Sequence, residues 1–350
     1  MIMTITPIQL QAASDAEYKA LHIFSNRMRT EKLPDDPPTP LEDYTKRWRS
    51  IPPVIELFSW IIWDETETAV IAQGIVSFAN SADNQHMLQF DIMVLPKYRA
   101  QGLGRRLMAE IATVAEREER PLLIVNTFGR IPDGSAFMRK MKATEGVVAH
   151  VNQLDLTLVN RELVQTWQAR AKERATGFEL GLWVGPYPEE QLEAIAALYH
   201  AINDQPLDDL AIEDIDFTPE RLRQMEQMIL ADGTKRWSLY AYEKATGEFA
   251  GFTEVFMRPG QPQVVMQEMT CVLPEYRNLG LGRWLKAAMI DKILRERPQA
   301  RFIRTDNADS NTPMLNINNQ LGFEPYDAQT VWQVRLEDVQ TYLTTTAQPA

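Results

Sequence analysis

The chain has 350 residues, of which 45% are hydrophobic and 24% are charged, and its formal net charge is -12. This length favours two domains, and the composition is that of a globular protein. The acidic balance argues against a nucleic-acid partner, because proteins that bind a phosphate backbone usually carry a basic face. A single cysteine, Cys271, excludes an internal disulfide and a thiolate metal cluster.

The four histidines stand far apart and show no metal-ligand spacing, so we expect no bound metal. The N-terminus lacks the basic segment and long apolar run of a signal peptide. No uninterrupted apolar stretch of about 18 residues occurs, so no membrane span is predicted. We therefore expect a cytoplasmic protein without a membrane partner.

The first half of the chain predicts alternating strands and helices. An alternating segment at 4–10 predicts a strand, and the capping pattern that begins at Ser14 predicts a helix after it. Clustered prolines at 34–40 predict a loop before a helix at 41–50. The remaining segments are strands at 56–63, 69–78 and 87–95, a helix after a glycine turn, a strand at 122–126, a helix at 135–143 and a strand at 147–158.

The polar segment 160–174 predicts a connecting helix, and after it the same order of elements returns. A strand at 178–184 precedes two helices, which begin near Pro188 and Thr218 on either side of an acidic loop at 204–216. The remaining segments are strands at 236–242, 249–256 and 264–273, a helix after a second glycine turn, a strand at 301–305, a helix at 312–320 and a strand at 330–336.

The two glycine turns are copies of one segment. A constant shift of 178 relates residues 93–144 to the later copy, so that Arg99 corresponds to Arg277 and Gly104 to Gly282. A repeat at this density predicts a duplicated domain. We expect an N-terminal domain at 1–158, a connecting helix or linker at 159–176, and a C-terminal domain at 177–350.

Each glycine turn lies between a predicted strand and a predicted helix, where an anion can bind. Glycines let the backbone approach a ligand closely, and free N–H groups at a helix start attract phosphate. Neither copy has the Gly-Lys-Ser/Thr sequence of a Walker loop or the third glycine of the dinucleotide fingerprint. A tight turn without a ligand is the alternative, and one copy alone does not decide between the two.

Both turns resemble the signature of the GNAT acetyltransferase superfamily, Arg/Gln-x-x-Gly-x-Gly/Ala after a strand. Residues 99–104 and 277–282 fit it, and residues 311–323 resemble the last helix of the family and its Gly-Phe strand entry. The resemblance implies an α/β (α+β) protein with two tandem GNAT folds. Each would be a mixed, mainly antiparallel sheet flanked by helices, and acetyl-CoA would be the co-substrate.

In this family the glycine turn binds the pyrophosphate of acetyl-CoA, and the pantetheine arm lies along the end of the preceding strand. The resemblance implies binding in the second half by Val272, Leu273, Arg277, Asn278, Leu279, Gly280, Leu281, Gly282, Arg283 and Asn311. The corresponding residues of the first half, which we expect to bind weakly or not at all, are Val94, Arg99, Gln101, Gly102, Leu103, Gly104 and Arg105.

Acetyl transfer to an amine needs a base for the amine and hydrogen-bond donors for the oxyanion and the leaving thiolate. Glu268 is the candidate base, with Glu254 second, and the alternative for each is an ion-paired strand carboxylate. Where many relatives have a tyrosine as the acid, this chain has Asn318, which can only hydrogen-bond the sulfur or hold a water. Tyr199 and Tyr326 are alternatives, so the general acid stays open.

The first half departs further from the family pattern. At the positions of Glu268, Asn311, Asn318 and Gly322, the shift of 178 places Phe90, Asp133, Lys140 and Thr144. We therefore expect catalysis in the second half.

The sequence predicts an acetyltransferase for a primary amine, and we expect that amine to be a small molecule. The acidic loop at 204–216 is either a region that attracts a cationic amine or a solvated loop without such a role. A non-catalytic acyl-CoA-binding module and an enzyme that acetylates a protein amino group are the alternative functions.

Overall fold

The computed structural model describes residues 3–345, which fold into two compact units. Each unit is a mixed α/β structure with a mainly antiparallel sheet flanked by helices, which confirms the predicted fold class. No helix in this described range is long and apolar enough to cross a membrane.

Strands and helices follow the predicted order along the described chain. The strands are β1 (Ile5–Ile8), β2 (Ile55–Trp63), β3 (Val70–Ala79), β4 (Met87–Val94), β5 (Leu122–Phe128), β6 (Thr144–Asp155), β7 (Phe178–Val184), β8 (Lys235–Glu243), β9 (Phe249–Met257), β10 (Val264–Val272), β11 (Phe302–Ala308) and β12 (Glu324–Arg335). The helices are α1 (Asp15–Lys32), α2 (Leu41–Arg49), α3 (Leu103–Arg117), α4 (Pro132–Lys140), α5 (Arg161–Arg174), α6 (Leu192–Tyr199), α7 (Pro219–Leu230), α8 (Leu281–Glu296), α9 (Thr312–Leu321) and α10 (Leu336–Thr345).

The sequence analysis misses helix α10. Its threonines and valine favour a strand. However, Val339, Tyr342 and Leu343 recur at helical spacing and pack against the core of the first unit.

The first unit contains β1 to β5 in sequential order, with β12 beside β5. All neighbouring strands are antiparallel except β4 and β5, which are parallel. A parallel pair needs a crossover connection, which α3 supplies. The buried apolar residues of α3 recur at helical spacing and face the core, and they are Leu103, Leu107, Met108, Ile111, Ala112, Val114 and Ala115.

The second unit has the same arrangement, with its strands in the order β7-β8-β9-β10-β11-β6. Here β10 and β11 are the parallel pair, and α8 is the crossover helix. The predicted connecting helix is α5, which contacts α8 and contributes Val164, Trp167 and Ala171 to the core of this unit.

The sheet of each unit is completed by a strand from the other half of the sequence. Residues 329–335 of β12 pair antiparallel with β5 in the first unit, and residues 149–155 of β6 pair antiparallel with β11 in the second. The compact units therefore cut across the predicted spans 1–158 and 177–350. Within the described range, the first unit includes residues 328–345 and Leu207–Glu213 besides residues 3–148.

The structure corrects the alignment of the two repeats beyond α3 and α8. The shift of 178 holds for the glycine turns. Beyond them, the segment from the start of α8 to the start of β11 is two residues longer than the segment from the start of α3 to the start of β5. From there the shift is 180, and at this shift α4 and α9 have the same order of buried and exposed positions. The structural counterparts of Asn311, Asn318 and Gly322 are Ile131, Met138 and Lys142. The predicted counterparts, which are Asp133, Lys140 and Thr144, are therefore wrong.

Candidate active site

The second glycine turn has the backbone shape of an anion-binding site. Asn278 and Gly280 both adopt the left-handed conformation, with φ of 66° and 85°, as the chain passes from β10 into α8. Trp284 is the first residue of α8 whose N–H donates a hydrogen bond to a carbonyl of the turn, which is the Gly280 carbonyl at 3.1 Å. The N–H groups of the three preceding residues point out of the helix end, where they can bind an anion.

The first glycine turn has the same backbone. Ala100 and Gly102 are left-handed, with φ of 57° and 81°, and the Arg106 N–H donates to the Gly102 carbonyl at 3.1 Å. Backbone geometry at the turn therefore does not distinguish the two units.

The arginine that opens each motif holds the turn against its own strand. Arg277 Nε donates to the carbonyl oxygen of Val272 at 3.1 Å, and Arg99 makes the same bond to Val94 at 3.1 Å. Each guanidinium also pairs with an acid, Asp204 at 2.5 Å for Arg277 and Glu31 at 2.7 Å for Arg99. These two predicted cofactor-binding side chains are thus engaged with the protein itself.

The other predicted residues of the two turns fall into three groups by their exposure. Leu103 and Leu281 begin their helices and anchor them in the core, because both side chains are buried. The exposed residues form the surface of the turns, and they are Gln101, Gly102, Asn278, Leu279, Gly280 and Arg283. Gly104 and Gly282 are half-buried, and a Cβ added to Gly282 would have its nearest neighbours at 3.7 Å and 3.8 Å.

The end of β10 directs a backbone N–H toward its open edge. Leu273 N–H donates to the Ala250 carbonyl at 2.9 Å, on the side of β9. Because backbone groups of successive strand residues point to opposite edges, the N–H of Val272 points away from β9. On that side β10 pairs with β11 only at residues 264–266. The Val272 N–H therefore points toward the part of this edge that lies beyond the pairing of β10 with β11.

A β-bulge in β10 carries the predicted base. The register against β9 shifts between Gln267 and Thr270, so Glu268 and Met269 together lie opposite the single residue Glu254. Such bulges re-aim side chains and are common beside active sites. The Glu268 side chain is exposed, beyond the point where β10 and β11 stop pairing.

The surroundings of Glu268 raise its pKa. Although water reaches the side chain, desolvation by the surrounding protein is the largest cause, and the nearby Asp306 carboxylate adds to it. Arg258 acts in the opposite direction. A carboxyl whose pKa lies above its usual range is better matched to proton abstraction near neutral pH.

The first unit has no bulge at this place. Strand β4 pairs with β3 over six consecutive residues without a shift of register. Asp91 faces away from the buried Phe90, as the two-residue period predicts. Desolvation raises the pKa of Asp91 to about 6, and Lys32 lowers it. The Lys32 ammonium itself lies 3.2 Å from the centroid of the Phe128 ring.

Helix α10 packs beside the first turn. The Arg105 guanidinium donates to the carbonyl oxygen of Leu343, in the last turn of α10. Tyr342 of the same helix meets Phe137 edge-on, with ring centroids 6.0 Å apart. The counterpart of Arg105 in the second unit is Arg283, which is exposed.

Glu254, the second candidate base, lies inside a buried polar cluster. It is 2% exposed and accepts hydrogen bonds from Tyr187 and Ser238 at 2.7 Å each and from Tyr199 at 3.1 Å. Arg236 lies 3.5 Å from the same carboxylate. Burial raises the pKa of Tyr199 well above its usual value, which makes it a poor proton donor. These contacts fit a structural role for both residues.

The remaining predicted residues are also placed by local contacts. Asn311 caps α9 and accepts a hydrogen bond from the Met314 N–H at 3.3 Å. Tyr326 stacks with Arg304, whose guanidinium carbon is 4.2 Å from the ring centroid. Burial raises the pKa of Cys271 to about 12, so this thiol is not a nucleophile at neutral pH.

Asn318 is fully buried and lies between Lys286 and Asn307. It accepts a hydrogen bond from the Lys286 ammonium at 2.5 Å and donates one to Asn307 Oδ1 at 2.7 Å. The sequence analysis misses Lys286, although one signal is visible: it is a charged residue on the apolar face of the helix that follows the second turn.

Comparisons with known proteins agree with the duplicated fold. Residues 58–141 match the Acetyltransferase (GNAT) domain, and residues 195–323 match the Acetyltransferase (GNAT) family. Among curated proteins the sequence has no significant match.

Two solved structures have the same fold over nearly the whole chain. A tandem GNAT protein from the clavulanic acid biosynthesis pathway, determined without AcCoA, is 24% identical with a TM-score of 0.76, and the alignment covers 95% of this chain and 98% of that one. A GCN5-related N-acetyltransferase from Sphaerobacter thermophilus is 14% identical with a TM-score of 0.64, and the alignment covers 95% and 96% of the two chains.

Proposed function

The chain is a tandem member of the GNAT acetyltransferase superfamily, and from this premise we propose that it moves an acetyl group from acetyl-CoA to a primary amine. Family membership supports acyl transfer in general. The donor, the acceptor and the working unit are the specific parts of the proposal. The reaction takes place in the second unit, and the acceptor is a small molecule.

The bulge in β10 is the observation that carries this proposal. It sets Glu268 beyond the point where β10 and β11 stop pairing, on the strand that leads into the free amides of the second turn. An anion site and a base on one continuous segment suit a thioester whose phosphates bind at the turn and whose acetyl group lies near the base.

The proposed reaction starts with the acceptor amine bound as an ammonium ion. Glu268 takes a proton from it, directly or through a water, and the nitrogen then attacks the thioester carbonyl carbon. The C–N bond forms, and the Val272 N–H donates to the resulting oxyanion. Collapse of this intermediate breaks the C–S bond, CoA leaves as a thiolate, and the nitrogen loses its second proton to solvent, which gives the neutral amide.

The charges around Glu268 favour an ammonium ion as the acceptor. Asp306 is close enough to Glu268 to raise the pKa of its carboxyl, and Glu254 acts in the same direction. Like charges held near one another attract a cation, whose arrival relieves their repulsion. Since Glu268 must be ionised to act as a base, the rate should rise with pH through its raised pKa.

The first unit has a supporting role in this proposal. Its turn is intact, but Arg105 is engaged with Leu343 of α10, and β4 lacks the bulge that presents a base. Lys32 stacks on Phe128 near Asp91, where the second unit has Glu268 exposed. We expect acetyl-CoA to bind there weakly or not at all.

The test is a turnover assay with defined acceptors. The purified full-length chain is incubated with acetyl-CoA and either small primary amines or peptides with free amino groups, while thiol release and acetylated product are followed. Turnover with a small amine, lost in Glu268→Gln, supports the proposal. Turnover with peptides alone indicates protein acetylation. Calorimetric binding of acetyl-CoA without turnover of any acceptor indicates a binding module.

A further inference from the structure

One lysine of the second unit is buried without a carboxylate partner in the described chain. Lys286 lies on α8 and is 1% exposed. Its ammonium donates to Asn318 Oδ1 at 2.5 Å, and Met314 Sδ lies 3.8 Å away. The ring of Phe323 lies 5.2 Å from it. Burying an ammonium ion among neutral groups is unfavourable, so its retention calls for an explanation.

The Lys286 contact fixes the orientation of two carboxamides. Because Asn318 turns its oxygen toward the ammonium, its Nδ2 points the other way and donates to Asn307 Oδ1 at 2.7 Å. Asn152 Nδ2 lies 3.5 Å from the same oxygen. Because the Asn307 oxygen faces these two groups, the Asn307 Nδ2 points away from them. No residue in 3–345 accepts a hydrogen bond from this Nδ2.

Asn307 is placed to use this free N–H group. It is half-buried and lies near the end of β11, three residues past Arg304, the last residue that pairs with β10. Its side chain lies on the same side of β11 as α9, because it meets Asn318. The Val272 N–H points from β10 toward the same opening. A thioester held there would have its sulfur within the region that the Asn307 N–H faces.

The first unit fills the corresponding positions in the opposite way. The counterparts of Lys286, Asn318, Asn307 and Asn152 are Met108, Met138, Thr127 and Trp332. Three of these four are large apolar residues with almost no exposure. The Thr127 hydroxyl already accepts a hydrogen bond from the Trp332 indole at 2.8 Å. The shared backbone therefore packs well without a buried lysine, and stability does not explain Lys286.

We infer that Lys286 is a positioning residue, which acts through Asn318 to direct the Asn307 carboxamide N–H at the leaving sulfur of the thioester. The inference rests on the proposed function and extends it, because it supplies the group that assists departure of the thiolate. No proton passes along these residues. One amine proton goes to Glu268 and the second to solvent, and the C–S electron pair stays on sulfur. The thiolate accepts a hydrogen bond from Asn307 and is protonated by solvent after release.

Ionisation of Lys286 controls this orientation. Burial lowers its pKa to about 7, and desolvation is the single cause of the shift. Its neighbours on α9 and after it, Met314, Asn318 and Phe323, are uncharged, as is Asn307 on β11. The carboxylates of Asp306 and Glu254 act on Glu268 instead. A neutral Lys286 can accept a hydrogen bond, which removes the reason for Asn318 to present its oxygen.

The test replaces Lys286 by the residue of the first unit. In Lys286→Met, kcat should fall about tenfold, the effect of one lost hydrogen bond in the transition state, with KM for acetyl-CoA unchanged. In the wild type, kcat/KM should decline above about pH 7, and the variant should lack that decline. Lys292→Met is the matched control, since Lys292 lies on the same helix and pairs with Glu296 at its surface.

A second readout does not depend on turnover. In the free wild-type protein, the side-chain amide resonances of Asn318 and Asn307 should titrate together near pH 7, and Lys286→Met should abolish this titration. A Lys286→Met variant with wild-type kcat and pH profile would overturn the inference while the proposed function stands. Asn amides that do not titrate would also overturn it. A wild type that turns over no amine would refute both.

Discussion

The two units share the same backbone fold and differ in the charged and polar side chains beside the glycine turn. Both have the left-handed residues of the glycine turn, and in both an arginine ties the turn to the preceding strand. The second unit adds a bulge that presents Glu268 and a buried lysine with polar neighbours. The first has a regular strand and an apolar interior at the same places. The turn is needed for the crossover itself, so its presence alone does not identify a working site.

The largest difference between the units is expected for the effect on kcat of replacing Glu268 on β10 or Asp91 on β4. Glu268→Gln should lower kcat by about 10²–10⁴-fold, the usual contribution of a general base. Asp91→Asn should leave kcat within about twofold, because we propose that catalysis takes place in the second unit. Steady-state kinetics of both variants check this. Comparable losses in the two variants would show that both units are catalytic.

The next comparison concerns the turn glycines. Gly282→Ala should weaken acetyl-CoA binding about tenfold, because a methyl group would stand between the helix-end amides and a phosphate. The fold has room for it, since the nearest atoms would be Ile317 at 3.7 Å and Val272 at 3.8 Å, so the melting temperature should not change.

Gly104→Ala is the matched control in the first unit, where the nearest atoms are also at 3.7 Å. It should leave the acetyl-CoA affinity unchanged in calorimetry. Wild-type titrations should show one acetyl-CoA per chain, and two tight sites would refute the division of roles between the units.

A smaller effect is expected for the arginines that follow the glycines. Arg283→Ala should raise the Kd of acetyl-CoA about threefold and reduce its salt dependence, because this exposed side chain lies at the second turn. Arg105→Ala should leave Kd unchanged and lower the melting temperature, because Arg105 donates to Leu343. Calorimetry at two salt concentrations and thermal unfolding separate the two results.

The smallest effect is a pH-dependent change of stability. The pKa of Lys286 is about 7 in the folded chain, whereas an ordinary lysine has a pKa of 10.5. Between these two pH values, the unfolded chain therefore binds more protons than the folded chain does. The wild type therefore gains stability as pH rises from about 7 to 10.5. Lys286→Met should melt a few degrees higher than the wild type at pH 6, with a smaller difference at pH 9. An equal difference at both pH values would show that Lys286 is not neutral when folded.

Residues with local signals are predictable in this chain. The two turns, their helices and the strands before them follow from glycine position and apolar periodicity, and Glu268 follows from its place on that strand. The two-residue insertion before β11 cannot be recognised in this way. The residues of α4 and α9 differ in identity, and only their shared burial pattern in the structure shows which positions correspond. The sequence therefore aligns Asn318 with Lys140, whereas its structural counterpart is Met138.

Side-chain roles depend on contacts between distant segments. Arg99 and Arg277 carry the same sequence signal as a phosphate ligand would, but the structure pairs them with Glu31 and Asp204. The place of Lys286 on the apolar face of its helix is a sequence signal, but only the structure shows its hydrogen bond to Asn318.

The sequence by itself determined the duplication, the order of strands and helices up to β12, and the backbone of both glycine turns, because these depend on residues close together in the chain. Only the tertiary structure decided which strand completes each sheet, where β10 bulges, and which polar groups meet in the interior. Those features depend on strand pairing and burial between segments far apart in sequence, and they are what separates the second unit from the first.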